Sequence, residues 1–310
     1  MEQNEWHSLF QAPTVTDYAA LMLRTHALAD RFPFLRFQYL GNSILGRGIP
    51  LLTLGNGDRK VLYVGAHHGM EWITALLLLR FTKELCEDVE ENRLEGTVSP
   101  TLLLQQFTFL ILPMLNPDGV EYQIHGPDPE HPLYERLLTM NGGSSDFSHW
   151  QANARGVDLN HNYDADFEKY KALEEENAIF GGAPTLYSGE YPECEPESAA
   201  LCNLIRYHTP LAGVMSLHTQ GEEIFFPNMG KNHRRTAAIA RHLSASTGYR
   251  LSWAEGLAAY GGLSDWCASA LGISSFTLEC GLGKNPLPIS QFSRMYCKLR
   301  RALFLFPTFL

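Results

Sequence analysis

The chain has 310 residues, of which 45% are hydrophobic, so it is long enough to bury one large core. Acidic residues outnumber basic residues by 34 to 24, and the net charge of −10 argues against nucleic acid as the main partner, since phosphate binding needs clustered Lys and Arg. The sequence contains no run of about 18 apolar residues, so we predict no membrane span.

The N-terminal region predicts a helix and no export signal. Residues 1–18 lack the basic and apolar segments of a secretory leader, although a chain whose leader had been removed would look the same. Residues 16–31 have apolar side chains at helical spacing, with Thr16 as a candidate N-cap. We interpret residues 1–35 as an N-terminal helical segment that packs on the rest of a single domain spanning residues 1–310.

Short apolar runs then alternate with helical stretches. After a Gly-rich hairpin or strand pair over residues 43–55, four runs have the length and continuous hydrophobicity of strands buried on both faces. These runs cover residues 60–68, 107–119, 212–221 and 274–281. The helical stretches cover residues 73–89, 196–208 and 263–272. The alternation predicts an α/β fold with a mixed, mostly parallel twisted sheet and helices on both faces.

Each apolar run ends in polar side chains. These C-terminal residues are His67 and His68, then Asn116 to Gly119, then His218 to Gln220, and finally Glu279. Because open α/β sheets bind ligands outside the carboxyl ends of their strands, we expect these residues to converge on one site. Asn116 to Gly119 are more typical of a strand-end turn than of catalytic residues.

The first run ends in a pattern that suits a metal ion. His68 and Glu71 are separated by two residues directly after a strand, so both side chains can reach one ion in a tight or helical turn. Catalytic zinc sites take three protein ligands of these types, and His218 is the candidate third ligand. Glu279 has no evident basic partner and suits a general base acting on a metal-bound water. An isolated HxxE pattern is weak evidence for a metal site, and a polar strand end is its commoner explanation.

Five ordered motifs resemble those of the carboxypeptidase A-like zinc peptidases. They are HGMEWI, LNPDG, GVDLN, SLHTQG and the run that ends at Glu279, and the similarity covers residues 39–285. The resemblance implies a single-domain carboxypeptidase-like fold. It also implies one zinc ion per chain, bound by His68, Glu71 and His218.

The resemblance assigns further roles around the metal. It implies that Glu279 is the general base, which deprotonates the zinc-bound water and then protonates the leaving amine. It implies that Asp158 accepts a hydrogen bond from the first zinc histidine, as metal-bound imidazoles usually require. His67 lies outside the motif and is interpreted as a packed or surface histidine.

The substrate-reading pair departs from the carboxypeptidase pattern. Ordinary carboxypeptidases have an Asn-Arg pair that reads the free carboxylate of a peptide, whereas this chain has Asn160-His161. Arginine offers a fixed fork for a carboxylate, while histidine offers at most two donors and is charged only when protonated. We predict that Asn160 and His161 contact the substrate and that His161 is not a metal ligand.

Two further family residues are replaced. Leu257 stands at the position of the family's mobile tyrosine, with Tyr260 three residues away as a candidate substitute or packing aromatic. Gln151 follows Trp150, where the family has the arginine that polarises the scissile carbonyl. Arg155, in the same loop, is the candidate substitute, and a surface salt bridge is the alternative.

With these departures, the chain resembles the bacterial γ-D-glutamyl-L-diamino acid peptidases, which trim murein peptides. The segments WQANARGVDLN, SLHTQGEEIFF and TLECGLGKNPLP carry this likeness. It implies zinc-dependent hydrolysis of a γ-D-glutamyl–diamino acid bond in a small peptide. Glu222, Glu223 and Glu255 are candidate partners for a substrate amine, although solvated charge is the commoner explanation. Ser264, where the family sets side-chain preference, excludes neither polar nor apolar groups.

Other functions stay open at this stage. They are a conventional metallocarboxypeptidase, a zinc deacylase of N-acyl amino acids, and an inactive metal- or peptide-binding protein, the last being disfavoured by the intact Glu279. The six cysteines form no CxxC pair and are interpreted as reduced thiols. Together with the absence of a leader, they favour a cytoplasmic location.

Overall fold

A mixed eight-stranded sheet runs through the computed structural model, which describes residues 6, 9–10, 12–227 and 233–310. The strands are β1 (Leu35–Asn42), β2 (Gly48–Leu54), β3 (Arg59–Val64), β4 (Phe107–Leu112), β5 (Gly213–His218), β6 (Glu223–Phe225), β7 (Arg250–Ser252) and β8 (Ser274–Glu279). The helices are α1 (Tyr18–Arg31), α2 (Ile73–Glu90), α3 (Pro100–Gln106), α4 (Pro117–His125), α5 (Tyr134–Met140), α6 (Phe167–Glu176), α7 (Pro196–His208), α8 (His233–Thr247), α9 (Leu263–Leu271) and α10 (Phe292–Phe309). No described helix has an apolar stretch long enough to cross a bilayer.

The sheet has the strand order β1-β2-β4-β3-β5-β8-β6-β7. The central strands β4, β3, β5 and β8 are parallel to one another, and antiparallel pairs flank them on both sides. The predicted mixed, mostly parallel sheet is therefore confirmed. Its central strands all point their carboxyl ends to the same edge, where the polar residues lie.

Helices cover both faces of the sheet because the central strands are apolar on both sides. In β3, Val61 and Tyr63 belong to a core that also contains residues of α1, α2, α8 and α10, whereas Leu62 and Val64 belong to a core with α7 and α9. All four side chains are fully buried. The continuous apolar run therefore reflects a strand between two layers of helices.

The N-terminal predictions need one correction and one limit. The N-cap of α1 is Asp17 and not Thr16, because Asp17 Oδ1 accepts a hydrogen bond from the amide of Ala20 at 2.8 Å, while the Thr16 hydroxyl donates to the carbonyl of Thr14. Residues 1–5, 7–8 and 11 of the predicted N-terminal segment lie outside the described residues.

Candidate metal centre and active site

The turn after β3 brings His68 and Glu71 together at the carboxyl edge of the sheet. Residues Gly69–Glu71 form a single 3-10 turn, and the amide of Gly69 donates to the carbonyl of Gln151 at 2.9 Å. A Cβ at position 69 would lie 2.3 Å from the carbonyl oxygen of Gly119. Only glycine therefore permits this close approach of the turn to α4.

Three predicted ligand side chains converge at this edge. His68 Nδ1 lies 3.0 Å from Glu71 Oε1 and 3.3 Å from His218 Nδ1, and His218 Nδ1 lies 3.1 Å from Glu71 Oε2. All three residues are buried. The structure thus assembles, from the turn after β3 and the end of β5, a cluster that can hold a metal ion.

The spacing and chemistry of these atoms fit zinc. Ligands about 2.0–2.1 Å from a tetrahedral zinc ion lie about 3.3–3.4 Å apart, close to the separations observed. His68 donates its Nε2–H to Asp158 Oδ1 at 3.0 Å, so in the neutral ring the Nδ1 lone pair faces Glu71. Glu71 Oε2 is buried, and His218 Nδ1 lies 3.1 Å from it. Acceptor atoms that face one another in this way favour a cation between them.

The electrostatics of the cluster also favour a cation. Burial alone would lower the pKa of His68, but the carboxylates of Glu71 and Asp158 outweigh burial and raise it well above its usual value. Burial opposes ionisation of Glu71, yet His68 and His218 lower its pKa to about 2. The cluster therefore holds ionised carboxylates around a position that favours positive charge.

Asp158 is fixed on both of its carboxylate oxygens. Oδ1 accepts from His68 Nε2 and from the amide of Asn160 at 3.1 Å, and Oδ2 accepts from the amide of Leu186 at 3.0 Å. Burial opposes its ionisation, but His68 and these donors lower its pKa below the usual value. A carboxylate held in this way sets the tautomer and orientation of the His68 ring.

Asn116 supports the site in a way that the sequence argument missed. It is the N-cap of α4, with Oδ1 accepting from the amide of Gly119 at 2.9 Å, so LNPDG begins a helix and is not a simple turn. Its Nδ2 also donates to the carbonyls of His67 and Gln151 at 3.0 and 3.1 Å. The available signal was an asparagine directly before proline, which is typical of a helix start.

Glu279 ends β8 beside the ligand cluster. The parallel register of β5 and β8 pairs it with His218, and the amide of Cys280 donates to the carbonyl of His218 at 2.7 Å. Burial, assisted by the charge of Glu71, raises the pKa of Glu279 well above its usual value. A carboxylate with raised pKa next to a metal site is suited to accept and return a proton.

His67 takes no part in the ligand cluster. Its Nε2 lies 3.0 Å from the hydroxyl of Tyr163, and its Nδ1 lies 3.2 Å from the hydroxyl of Ser216. The ring is fully buried, and burial lowers its pKa well below the usual value. These contacts agree with the interpretation of His67 as a packed histidine.

A cavity of about 680 Å³ opens beside Glu279. Its walls come from the segments Asn160–Asp166, Phe225–Pro227, Trp253–Gly262 and the start of α9, with Thr277 and Glu279 from β8. Its described lining includes four carboxylates and no Lys, Arg or His side chain. The four are Asp166, Glu255, Asp265 and Glu279. The carboxylates of this lining favour the binding of a cationic ligand group.

Comparison with known proteins places these features in one family. The profile of the zinc carboxypeptidase family matches residues 24–300. The chain is 32% identical over 280 residues to γ-D-glutamyl-L-diamino acid endopeptidase 1 of Lysinibacillus sphaericus, which covers 90% of this chain and 69% of that protein. The chain belongs to the zinc carboxypeptidase family. It is therefore a metallopeptidase-type hydrolase, as the five motifs predicted.

Solved structures confirm the predicted fold class of this member of the zinc carboxypeptidase family. Bovine thrombin-activatable fibrinolysis inhibitor, solved with a tick carboxypeptidase inhibitor, superposes with a TM-score of 0.72 at 21% identity, covering 95% of this chain and 97% of that chain. Murein-tripeptide amidase MpaA of Escherichia coli O157 superposes with a TM-score of 0.51 at 21% identity, covering 86% and 91%. At these identities the likeness concerns the fold.

The residues at which this chain departs from the family pattern have varied surroundings. Asn160 lines the cavity, whereas His161 is buried beside it and does not belong to the described lining. The Arg155 side chain is half exposed, and its Nη1 lies 3.6 Å from Glu195 Oε1. Gln151 Oε1 instead accepts a hydrogen bond from the hydroxyl of Thr185. The same hydroxyl lies 3.4 Å from Asp158 Oδ2.

The other positions singled out in the sequence also have defined surroundings. Tyr260 lines the cavity, and Leu257 lies in the same segment without contributing to the described lining. The hydroxyl of Ser264 lies 3.0 Å from that of Thr277 at the cavity surface. Of the acidic candidates, Glu222 pairs with Lys298 at 2.5 Å and Glu223 pairs with Arg250, so both are already neutralised.

Asp265 is the cavity residue that the sequence argument overlooked. It lies in the first turn of α9, where an acidic residue commonly stabilises the helix N-terminus. That ordinary explanation hid its second property, which is that its carboxylate faces the cavity without a hydrogen-bonding or ionic partner among the described residues.

Proposed function

We propose that this protein is a zinc-dependent amidase that hydrolyses the γ-D-glutamyl–diamino acid bond of murein-derived peptides. The observation that carries the proposal is the acidic cavity beside Glu279. A diamino acid brings a second amine to the site, and the cavity offers that amine carboxylates without competing cations among its described residues. The name of the Lysinibacillus relative gives the same substrate class for that protein.

Asp265 is the group we assign to the second amine. Burial raises the pKa of Asp265, with Asp166 adding to the effect, so its ionised form is less stable than that of a solvated aspartate. An incoming ammonium group would remove that penalty and form a charge-assisted hydrogen bond. The side chain is therefore better suited to hold a substrate cation than a substrate carboxylate.

The metal role rests on His68, Glu71 and His218. Their three ligand atoms have the spacing and charge that zinc requires, and Asp158 orients the first of them. When bound, zinc supplies a Lewis acid that polarises the scissile carbonyl and acidifies the attacking water. We assign Glu279, which ends β8 next to His218, to accept the proton of that water and to return it to the leaving amine.

His161 supports a departure from ordinary carboxypeptidase specificity. Burial lowers its pKa, so the ring is neutral near pH 7 and supplies no fixed positive charge for a C-terminal carboxylate. The contacts of Asn160, His161 and Arg155 with substrate stay predictions. The neutral ring and the acidic cavity together favour an amine-bearing leaving group.

A substrate panel tests the proposal directly. We expect the zinc-loaded protein to hydrolyse L-Ala-γ-D-Glu-meso-diaminopimelate and to turn over N-blocked dipeptides with a free L-C-terminus poorly. The Glu279→Gln variant, assayed in parallel, controls for contaminating peptidases. Rapid hydrolysis of the dipeptides with no cleavage of the γ-glutamyl peptide would replace the proposal with a conventional carboxypeptidase.

A further inference from the structure

Tyr260 adopts a backbone conformation that tyrosine disfavours. Its φ of +65° lies in the left-handed region, which is costly for residues with a bulky side chain. Tyr260 and the two residues before it, Ala258 and Ala259, form one wall of the cavity. Because the conformation is strained, contacts from elsewhere must hold this wall in place.

Part of the support comes from backbone contacts to Gly261. Its amide donates to the carbonyl of Ala165 at 2.7 Å, and its carbonyl accepts from the amide of Tyr163 at 3.0 Å. A Cβ at position 261 would lie 2.5 Å from the carbonyl oxygen of His161. The two segments are thus in close contact at Gly261, but these bonds do not reach the carbonyl of Tyr260.

The side chain of His161 provides that remaining contact. Its Nδ1 lies 2.9 Å from the carbonyl oxygen of Tyr260, and since a carbonyl only accepts, Nδ1 carries the proton. The ring stacks on Tyr170 with centroids 4.1 Å apart and planes 10° apart. Tyr170 is itself fixed, because its hydroxyl donates to the carbonyl of Leu186 at 2.9 Å.

We propose that His161 is a positioning residue for the substrate cavity. By holding the carbonyl of Tyr260, it sets the place of the wall formed by residues 258–260 and so the affinity for the side chain of the leaving amine. The proposal deepens the function proposed above and rests on it for the identity of the substrate. The placement of the wall by His161 does not depend on that identity.

Two substitutions of His161 separate the hydrogen bond from the ring. Asparagine can place an amide N–H near the position of Nδ1, whereas glutamine places it near Nε2 and leaves the Tyr260 carbonyl unpaired. We expect His161→Gln to raise KM for the γ-D-glutamyl–diaminopimelate peptide about tenfold with kcat changed by less than about twofold, the size expected for one lost hydrogen bond. His161→Asn should stay within about threefold of the wild type in KM. Both variants should bind as much zinc as the wild type.

Two measurements that need no substrate test the placement itself. Hydrogen exchange in the peptide covering residues 257–262 should quicken in His161→Gln and not in His161→Asn. Nitrogen NMR should show that the His161 ring is protonated on Nδ1. The ring signals of His161 are identified as those that disappear in the two variants. If neither variant alters exchange, or if the ring is protonated on Nε2 alone, the positioning role is overturned.

The kinetic and structural results have distinct meanings. A loss of kcat at unchanged KM in both variants would mean that His161 touches the reacting atoms, and this would also overturn the proposal. If the wild type does not cleave the diaminopimelate peptide while exchange differs between the variants as expected, the proposed function fails and the positioning of the wall stands.

Discussion

The ligand cluster and the substrate cavity lie side by side at the carboxyl edge of the sheet, yet they are held in different ways. His68, Glu71 and His218 are buried on or next to central strands, and Asp158 adds a contact fixed by backbone amides. The cavity is walled largely by the segment Trp253–Gly262, in which Trp253 is 56% exposed and Tyr260 is strained. The candidate metal site is thus held by buried side chains and backbone amides, whereas the proposed substrate cavity depends on a few contacts between loops.

This difference separates two kinds of functional loss. Changes in the ligand cluster should abolish metal binding or turnover for every substrate. Changes in the cavity should alter KM for particular substrates and leave the metal in place. Variants in the two regions can therefore be ranked from the largest expected effect to the smallest.

Replacing His218 with alanine should have the largest effect. It removes one of three proposed ligands and leaves Glu71 without one of the two histidines that lower its pKa. We expect the loss of about one zinc ion per chain, measured by elemental analysis, and the loss of activity. Full zinc retention by a folded variant would contradict the ligand set.

Glu279→Gln should separate metal binding from proton transfer. The amide has nearly the same shape as the carboxylate but cannot accept and return the proton. We expect kcat to fall by about 10²- to 10⁴-fold with zinc content unchanged. If the metal were lost instead, Glu279 would belong to the structure of the metal site and not to the catalytic step.

Asp158→Asn should have an intermediate effect on the same centre. An amide can still accept from His68, but it lacks the charge that raises the pKa of His68. Loss of such a carboxylate typically costs about 10- to 100-fold in metal affinity or activity. Competition with a zinc chelator would measure the affinity, and unchanged affinity and activity would show that Asp158 only shapes the turn.

The same difference explains how much of the molecule the sequence could predict. The convergence of the candidate ligands could be predicted because short spacing within HGMEW and strand-end positions constrain them, and both are local properties of the chain. The role of Asn116 was missed because its contacts to His67 and Gln151 join segments far apart in sequence. Asp265 was missed because its place in a helix first turn has an ordinary explanation, while its lack of a partner depends on packing.

Asp265→Asn tests the cavity without touching the metal. Removing the charge should raise KM for a γ-D-glutamyl–diamino acid peptide by about 10- to 100-fold, the range for a hydrogen bond to a charged group. The KM of a matched peptide that lacks the second amine should not change. Asp58→Asn, at an exposed position of the turn between β2 and β3, controls for the change in net charge. Equal effects on both peptides would show that Asp265 shapes the cavity and does not bind the amine.

Ser264→Ala should have the smallest effect and decides between charge and shape as the source of selectivity. The Ser264 hydroxyl is neutral and pairs with that of Thr277, whose hydroxyl stays available to the cavity after the substitution. If selectivity arises from the carboxylates, KM for the diamino peptide should change by less than about threefold, as expected for a neutral hydrogen bond that water can replace. A larger change that matches Asp265→Asn would mean that the cavity recognises its ligand through close packing around α9. In that case the acidic residues would be secondary, and substrates without the second amine should be selected by size instead.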